Sequence, residues 1–427
     1  MLRKILSHTP KQFYCTIAKN THKNALNETN KLTRELAARM KLTGPITVAD
    51  YMKEVLTNPS LGYYMNRDVF GERGDFVTSP EMGQMFGELI AVWFISELEK
   101  IGDPTPLQII ELGPGRGTLA ADVLRVFRHI QKDRYPFISL HLVEVSPYMR
   151  EIQAKTLRVS LNEEYSIQHN TKTNSSNIEV NHSKTGVTPD GLYVYWYDSI
   201  EDVPKNFSIL VAHEFFDVLP IHKIKKTANG WREILIDYSE KDKQFKYVLS
   251  PTATAISSSK LIDELHEDRN EFEISPKALT IIEHIASRFE NDGGIGLIVD
   301  YGHMGDKRDT FRAYKKHKQY NPLLNPGTAD LTADVDFKQL IKYATKDQKL
   351  LAFGPVTQSA FLNSLGIKIR LDMLIKNAKN QQQIDSLKQA YKVMTDADQM
   401  GERFKFISLF PSILGEHLKK FPVAGFQ

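Results

Sequence analysis

The segment IIELGPGRGTLAADVLRVF, Ile109–Phe127, decides the fold. A run of β-prone apolar residues ends in an acid, passes three glycines at alternate positions and enters an amphipathic pattern with Leu119, Val123, Leu124 and Phe127 on one face. That is a strand, a tight loop and a helix. Gly113, Gly115 and Gly117 let the backbone turn sharply and approach a ligand that a Cβ would exclude. The spacing is G-x-G-x-G. A dinucleotide fingerprint needs its third glycine at position 118, which is Thr118. A pyrophosphate favours the positive end of a helix, whereas a cofactor with a cationic amino-acid portion favours a carboxylate beside the loop, and Glu111 stands there.

Outward from this unit, short apolar runs alternate with helical patterns: Leu107–Leu112, Ile138–Val145, Leu192–Trp196, Ser208–Ala212 and Ile295–Val299. Alternation of this kind predicts an α/β domain around a mostly parallel sheet. The second strand ends near Glu144, 33 residues after Glu111, where an acid can accept from both hydroxyls of a ribose. The third ends at Asp198, within reach of an adenine amino group. The fourth delivers HEFFDVLP, His213–Pro220, past its carboxyl end, where the reacting groups of an open parallel sheet lie. HEFFD has Asp217 where a zinc helix needs a second His, so no metal is expected. Glu214 and Asp217 instead suit a cationic substrate group, since a carboxylate matches a guanidinium in bidentate fashion; capping of the following helix is the plain alternative.

Before the sheet, Leu32, Leu36 and Met40 make a helical stripe, and a second helix opens at Thr47 with Asp50 in a capping-box arrangement. A longer helix is expected to start at Ser79-Pro80. Residues 162–190 read as a polar surface loop, and 222–250 as a hairpin turning at Asn229-Gly230. The expected organisation is a presequence at 1–25, a helical cap at 26–105 and the α/β domain at 106–427, with an insertion at about 222–290.

Five basic residues and no acid precede Glu28, interleaved with apolar and hydroxyl residues, the composition of a mitochondrial presequence. Removing these five from 55 basic against 52 acidic residues leaves 50 against 52, a net of −2, so the body has no global footprint for nucleic acid. The basic run Phe311–Leu323 is flanked by acids and reads as a solvated loop or a lid that meets a partner. The one cysteine, Cys15, lies in the presequence, which excludes disulfides and thiolate chemistry from the body. The longest apolar stretches, such as Ile90–Ile95, are far short of the ~20 residues a membrane helix needs.

Together, GERGDFVTSPEMGQMFGELI (71–90), ELGPGRGT (111–118), HEFFDVLP (213–220), DYGH (300–303), TFRAYKKHKQYNPLLNPGTADLTADVDF (310–337), GPVTQSAFL (354–362) and MGERFKFISLF (400–410) resemble the MidA-like family of mitochondrial protein arginine methyltransferases, which serve complex I assembly. The resemblance runs over about residues 30–420. It implies a class I S-adenosylmethionine-dependent, Rossmann-like fold and a matrix location. It also implies symmetric (type II) dimethylation of an arginine on a complex I subunit. By the same resemblance Glu111, Gly113, Gly115 and Gly117 hold the methionine part of S-adenosylmethionine, and Glu144 the ribose. The family usually has Asn before the strand-end Glu, where this chain has His213. Two other readings stay open at this stage: a non-catalytic assembly factor that keeps the fold, and a nicotinamide oxidoreductase, which Thr118 opposes.

Overall fold

The computed structural model describes residues 30–69, 78–161, 184–265 and 268–426. The expected presequence, most of the polar loop 162–190 and most of Gly74–Pro80, a stretch expected with the cap helices to form a lid, lie outside them.

Seven strands form the central sheet: β1 (Leu107–Leu112), β2 (Ile138–Val143), β3 (Tyr193–Tyr197), β4 (Ser208–His213), β5 (Gly294–His303), β6 (Leu350–Thr357) and β7 (Phe404–Pro411). Their order is β6-β7-β5-β4-β1-β2-β3, and the short strands Lys184–Val187 and Ser160–Leu161 extend the β3 edge. β3, β2, β1, β4 and β5 run parallel, whereas β7 lies antiparallel to both β5 and β6. All six residues of β1 and of β4 are buried, because helices cover both faces of the sheet. Alternate residues serve opposite faces: Ile109, Leu140 and Val211 enter one core, and Ile110, Leu210 and Ile298 the other.

On the first face lie α3 (Met85–Lys100) and α4 (Thr118–Ile130); on the second lie α6 (Pro276–Asp292) and α7 (Phe337–Ala344). Between α4 and α6 in the chain, α5 (Pro147–Thr156) follows β2. At the amino end of the sheet the buried guanidinium of Arg288 on α6 donates to Gln108 Oε1 (2.6 Å), Ser208 Oγ (3.1 Å) and the Val203 carbonyl (3.0 Å), tying the starts of β1 and β4. Chain order reverses between β1 and β4. A crevice therefore opens at their carboxyl ends, and that is where an open α/β sheet binds ligands.

A second body of structure covers this edge. Strands Ile46–Thr47, His222–Thr227, Gly230–Ser239, Gln244–Leu249 and Glu271–Ile274 form an antiparallel sheet. It shares a core with α1 (Lys31–Thr43), α2 (Val48–Thr57) and the hairpin Arg312–Lys315/Lys318–Tyr320. Here Thr47 caps α2 as its sequence predicts, accepting from the Asp50 N–H at 2.9 Å.

Three local expectations differ from the structure. Ser79–Met82 forms only a 3₁₀ turn, because Gly83 at φ +147° interrupts the chain before α3 begins at Met85. Thr227 pairs with Gly230, so the hairpin turns on Ala228-Asn229, one residue early. Lys184–Val187, expected within a polar loop, is a strand that pairs with β3. Packing also cuts across the expected division at 105. α3 is apolar on nearly every side and is buried against α4 and the sheet, while α6 is part of the second core. We propose that the cap ends near 84 and the insertion near 275.

Candidate active site at the carboxyl edge of the sheet

The loop after β1 is built from left-handed backbone: Gly113, Gly115 and Gly117 have φ of +63°, +52° and +80°. At Gly113 a Cβ would also come within 2.9 Å of the Phe215 ring, so this glycine is required twice over. Gln153, on α5, donates to the Gly115 carbonyl at 2.8 Å and to Glu144 Oε2 at 3.1 Å, binding the loop to the end of β2. Glu144 Oε1 accepts the Ser146 N–H at 2.8 Å, and burial holds its carboxyl above the ordinary glutamate range. Asp198, just past β3, is largely exposed and pairs with Arg150, whose guanidinium also donates to the Glu144 carbonyl.

Gly113, Gly115, Glu144, Asp198, Glu214 and Asp217 all line one cavity of about 2160 Å³. Small-molecule sites are roughly 300–1,000 Å³, so this one has room for a cofactor and a second, larger group. Two expected residues do not line it. Gly117 caps α4 behind the loop. Glu111 is only 4% exposed and lies beneath the loop, where its carboxylate accepts the Ala120 N–H at the start of α4. Burial pushes Glu111 up to about 8, and its Oε2 has no partner among the described residues. Sequence spacing put Glu111 beside the ligand; the pleat of β1 turns it inward.

Past β4, Glu214 is held at φ +50°, a conformation a non-glycine residue adopts at a cost of about 1–2 kcal/mol. Its N–H donates to the Val299 carbonyl of β5 at 3.0 Å, and its carboxylate accepts the Ser79 N–H. Among the described residues Glu214 Oε1 has no hydrogen-bond partner, and it lies 3.6 Å from His213 Nε2. Burial pushes His213 down to about 3, so the imidazole is neutral, while burial first and then Asp217 and Asp330 raise Glu214 well above its ordinary range. Asp217 is 3% exposed; its Oδ2 accepts from the Tyr301 hydroxyl and its Oδ1 has no partner among the described residues. Burial pushes Asp217 up to about 6. Beneath both, Asp300 accepts the N–H groups of Phe216 (3.0 Å) and Asp217 (3.3 Å) and fixes the turn.

The structure adds groups that motif reasoning did not single out. Tyr64 donates to Asp330 Oδ1 at 2.7 Å. Arg312 pairs with Asp334 at 2.5 Å and stands 5.0 Å from the Tyr301 ring centre. All five face the cavity. The basic run is thus a hairpin that sends Arg312 into the site. DYGH and TADLTAD carried Tyr301, Asp330 and Asp334, but nothing in their spacing tied them to Glu214. Among the described residues no group of three or more His, Cys, Asp or Glu is arranged to hold a metal ion, and no helix is long and apolar enough to cross a membrane.

Known proteins resemble this chain. A family model described as "Putative S-adenosyl-L-methionine-dependent methyltransferase" matches residues 89–356. The protein arginine methyltransferase NDUFAF7 homolog, mitochondrial, of Drosophila melanogaster is 46% identical, over 93% of this chain and 88% of its own length. The Homo sapiens protein arginine methyltransferase NDUFAF7, mitochondrial, is 45% identical, over 91% of this chain and 85% of its own. In fold, a COG1565 superfamily protein of Burkholderia thailandensis, crystallised with S-adenosyl-homocysteine, superposes with a TM-score of 0.70 at 23% identity, over 90% of this chain and 92% of that one. A match of that extent settles the family: the chain belongs to these S-adenosyl-L-methionine-dependent methyltransferases, and S-adenosylmethionine is its cofactor.

Proposed function

We propose that this chain is a mitochondrial-matrix protein arginine N-methyltransferase that symmetrically dimethylates an arginine on a complex I subunit. The observation that carries the acceptor class is the pair of buried carboxylate oxygens without partners, Glu214 Oε1 and Asp217 Oδ1, in the wall of the cavity that also holds Gly115 and Glu144. A buried acceptor atom left unpaired costs about 1–3 kcal/mol, so two of them in one wall favour a donor that arrives with the substrate. A guanidinium, with five N–H donors in a rigid plane, satisfies both. The names of the relatives, and the resemblance of the motifs to the MidA-like family, support arginine and the compartment; symmetric dimethylation and complex I rest on that resemblance alone.

The cavity fits the cofactor. The left-handed loop at Gly113–Gly117 admits close backbone approach, and Glu144 and Asp198 line the same cavity, which supports Glu144 for the ribose hydroxyls and Asp198 for the adenine side. Glu111 acts from below, holding the loop to α4. When bound, S-adenosylmethionine supplies a methyl group on a positively charged sulfur. The chain then has to place the acceptor nitrogen in line and keep water out. Glu214 and Asp217 hold the guanidinium, and Tyr301 fixes the rotamer of Asp217. An arginine side chain is protonated at neutral pH, so the acceptor nitrogen must give up a proton. The positive charge of the guanidinium offsets the burial that raises Glu214 and favours its ionised carboxylate, which then takes that proton.

The test is to incubate the recombinant chain with methyl-labelled S-adenosylmethionine and isolated complex I subunits, then hydrolyse the product and separate the amino acids. Label in symmetric dimethylarginine supports the proposal. Label on lysine or on no subunit contradicts it.

A further inference from the structure

One arginine of the cofactor loop has no place in this account. Arg116 lies between Gly115 and Gly117, yet its side chain makes a fork to two acids from other parts of the chain. Nε donates to both oxygens of Asp68 (3.1 and 3.0 Å), Nη2 to Asp68 Oδ2 (2.5 Å) and Nη1 to Glu81 Oε2 (3.2 Å). Glu81 Oε1 in turn accepts from the hydroxyl of Thr118, at the start of α4. Both acids belong to segments that reach the acceptor wall. Four residues before Asp68, Tyr64 donates to Asp330, and its carbonyl accepts from Ser146 Oγ at 2.8 Å. Two residues before Glu81, the Ser79 N–H donates to the Glu214 carboxylate.

We infer that Arg116 is a positioning residue, which joins the glycine loop to the acceptor carboxylates along two short routes, Asp68–Tyr64–Asp330 and Glu81–Ser79–Glu214. The inference rests on the acceptor role given above to Glu214. Its chemistry requires arginine, because only a planar fork can serve Asp68 side-on and Glu81 at the same time; a lysine ammonium is a point charge on a flexible stem. A loosened Glu81 lets the Ser79 N–H withdraw from Glu214. The carboxylate form of Glu214 then loses a donor, and its pKa rises further. His213 on β4, Asp217 after it, Asp300 on β5 and Asp330 also face Glu214, and Arg116 holds none of them except Asp330, through Tyr64.

The experiment compares the wild type, Arg116→Lys and Arg116→Ala in the full chain saturated with S-adenosyl-homocysteine. The Glu214 carboxyl is titrated by ¹³C NMR, with its signal assigned by its loss in Glu214→Gln, and the affinity for S-adenosyl-homocysteine is read by calorimetry. Expected in Arg116→Lys is an upward shift of about half a pH unit or more at Glu214, with affinity changed less than about threefold. Arg116→Lys keeps the charge, so it is informative even where Arg116→Ala does not fold. An unmoved Glu214 titration overturns the inference. So does an affinity loss of tenfold or more in Arg116→Lys, which would make Arg116 a ligand of the cofactor. Neither readout uses an acceptor, so a wild type that labels no arginine would sink the proposed function and leave this result standing.

Discussion

The Tyr301 hydroxyl at the end of β5 donates to Oδ2 of Asp217 beyond the end of β4, and Asp217 Oδ1 is left without a partner in the cavity wall. One oxygen is fixed by the protein, and the other is the one the proposed mechanism turns to the acceptor. The bond also favours the ionised carboxylate against the burial that opposes it. Tyr301→Phe should therefore raise the Asp217 pKa above about 6 and move the acid limb of the pH–rate profile upward, with kcat at pH 8 reduced less than about tenfold. An acid limb unchanged from wild type would show that Asp217 does not limit turnover.

Asp217 also predicts how stability varies with pH. Its carboxyl binds protons more tightly folded, at about 6, than at its ordinary value of 3.8, so the folded state holds more protons than the unfolded state between those limits. Stability contributed by this group is thus present below about 3.8 and lost as pH rises to about 6. Asp217→Asn removes that loss. The variant should gain on the wild type between pH 4 and pH 7, by on the order of 1–3 kcal/mol. Denaturant melts at the two pH values measure it, and a constant difference contradicts the assignment.

At the cofactor loop, Gly115→Val puts a branched side chain at φ +52° in the cavity wall. Strain of about 1–2 kcal/mol should lower the melting temperature by a few degrees, and S-adenosylmethionine binding should disappear from calorimetry. Retained binding would remove the loop from the cofactor site.

Glu144→Ala should weaken S-adenosylmethionine by about 1–3 kcal/mol, the scale for losing charge-assisted hydrogen bonds. Part of that loss comes through Gln153, which joins Glu144 to the Gly115 carbonyl. An unaltered dissociation constant would leave Glu144 as a structural acceptor for Ser146 and Gln153.

Local sequence carried the half of the candidate site that local sequence builds. The strand, glycine loop and helix at Ile109–Phe127, and the acids Glu144, Glu214 and Asp217 past their strands, are set by the alternation of apolar runs and by the rule that ligands meet an open sheet at its carboxyl edge. Glu111 misled because spacing alone does not say which way a strand-end side chain turns; burial placed it under the loop. Tyr64, Tyr301, Asp330 and Arg312 were not legible, since they meet Glu214 and Asp217 from far along the chain, Tyr301 on β5 of the central sheet and the others outside it. No periodicity encodes such a meeting. His213 shows the same limit: it stands past the fourth strand with Glu214 and Asp217, but full burial against Phe86 and Phe404 keeps it neutral.

The central claim is that Glu214 serves the acceptor and not the cofactor, and one variant tests it most directly. Glu214→Gln keeps the side-chain length and the backbone at φ +50° but removes the charge. Binding of S-adenosylmethionine and transfer of label to complex I subunits are measured on the same preparation. The account predicts affinity within about threefold of wild type and transfer reduced by at least about 10²-fold, the scale for losing one preorganised electrostatic contact. Transfer at the wild-type rate, or loss of cofactor binding in step with transfer, would contradict it.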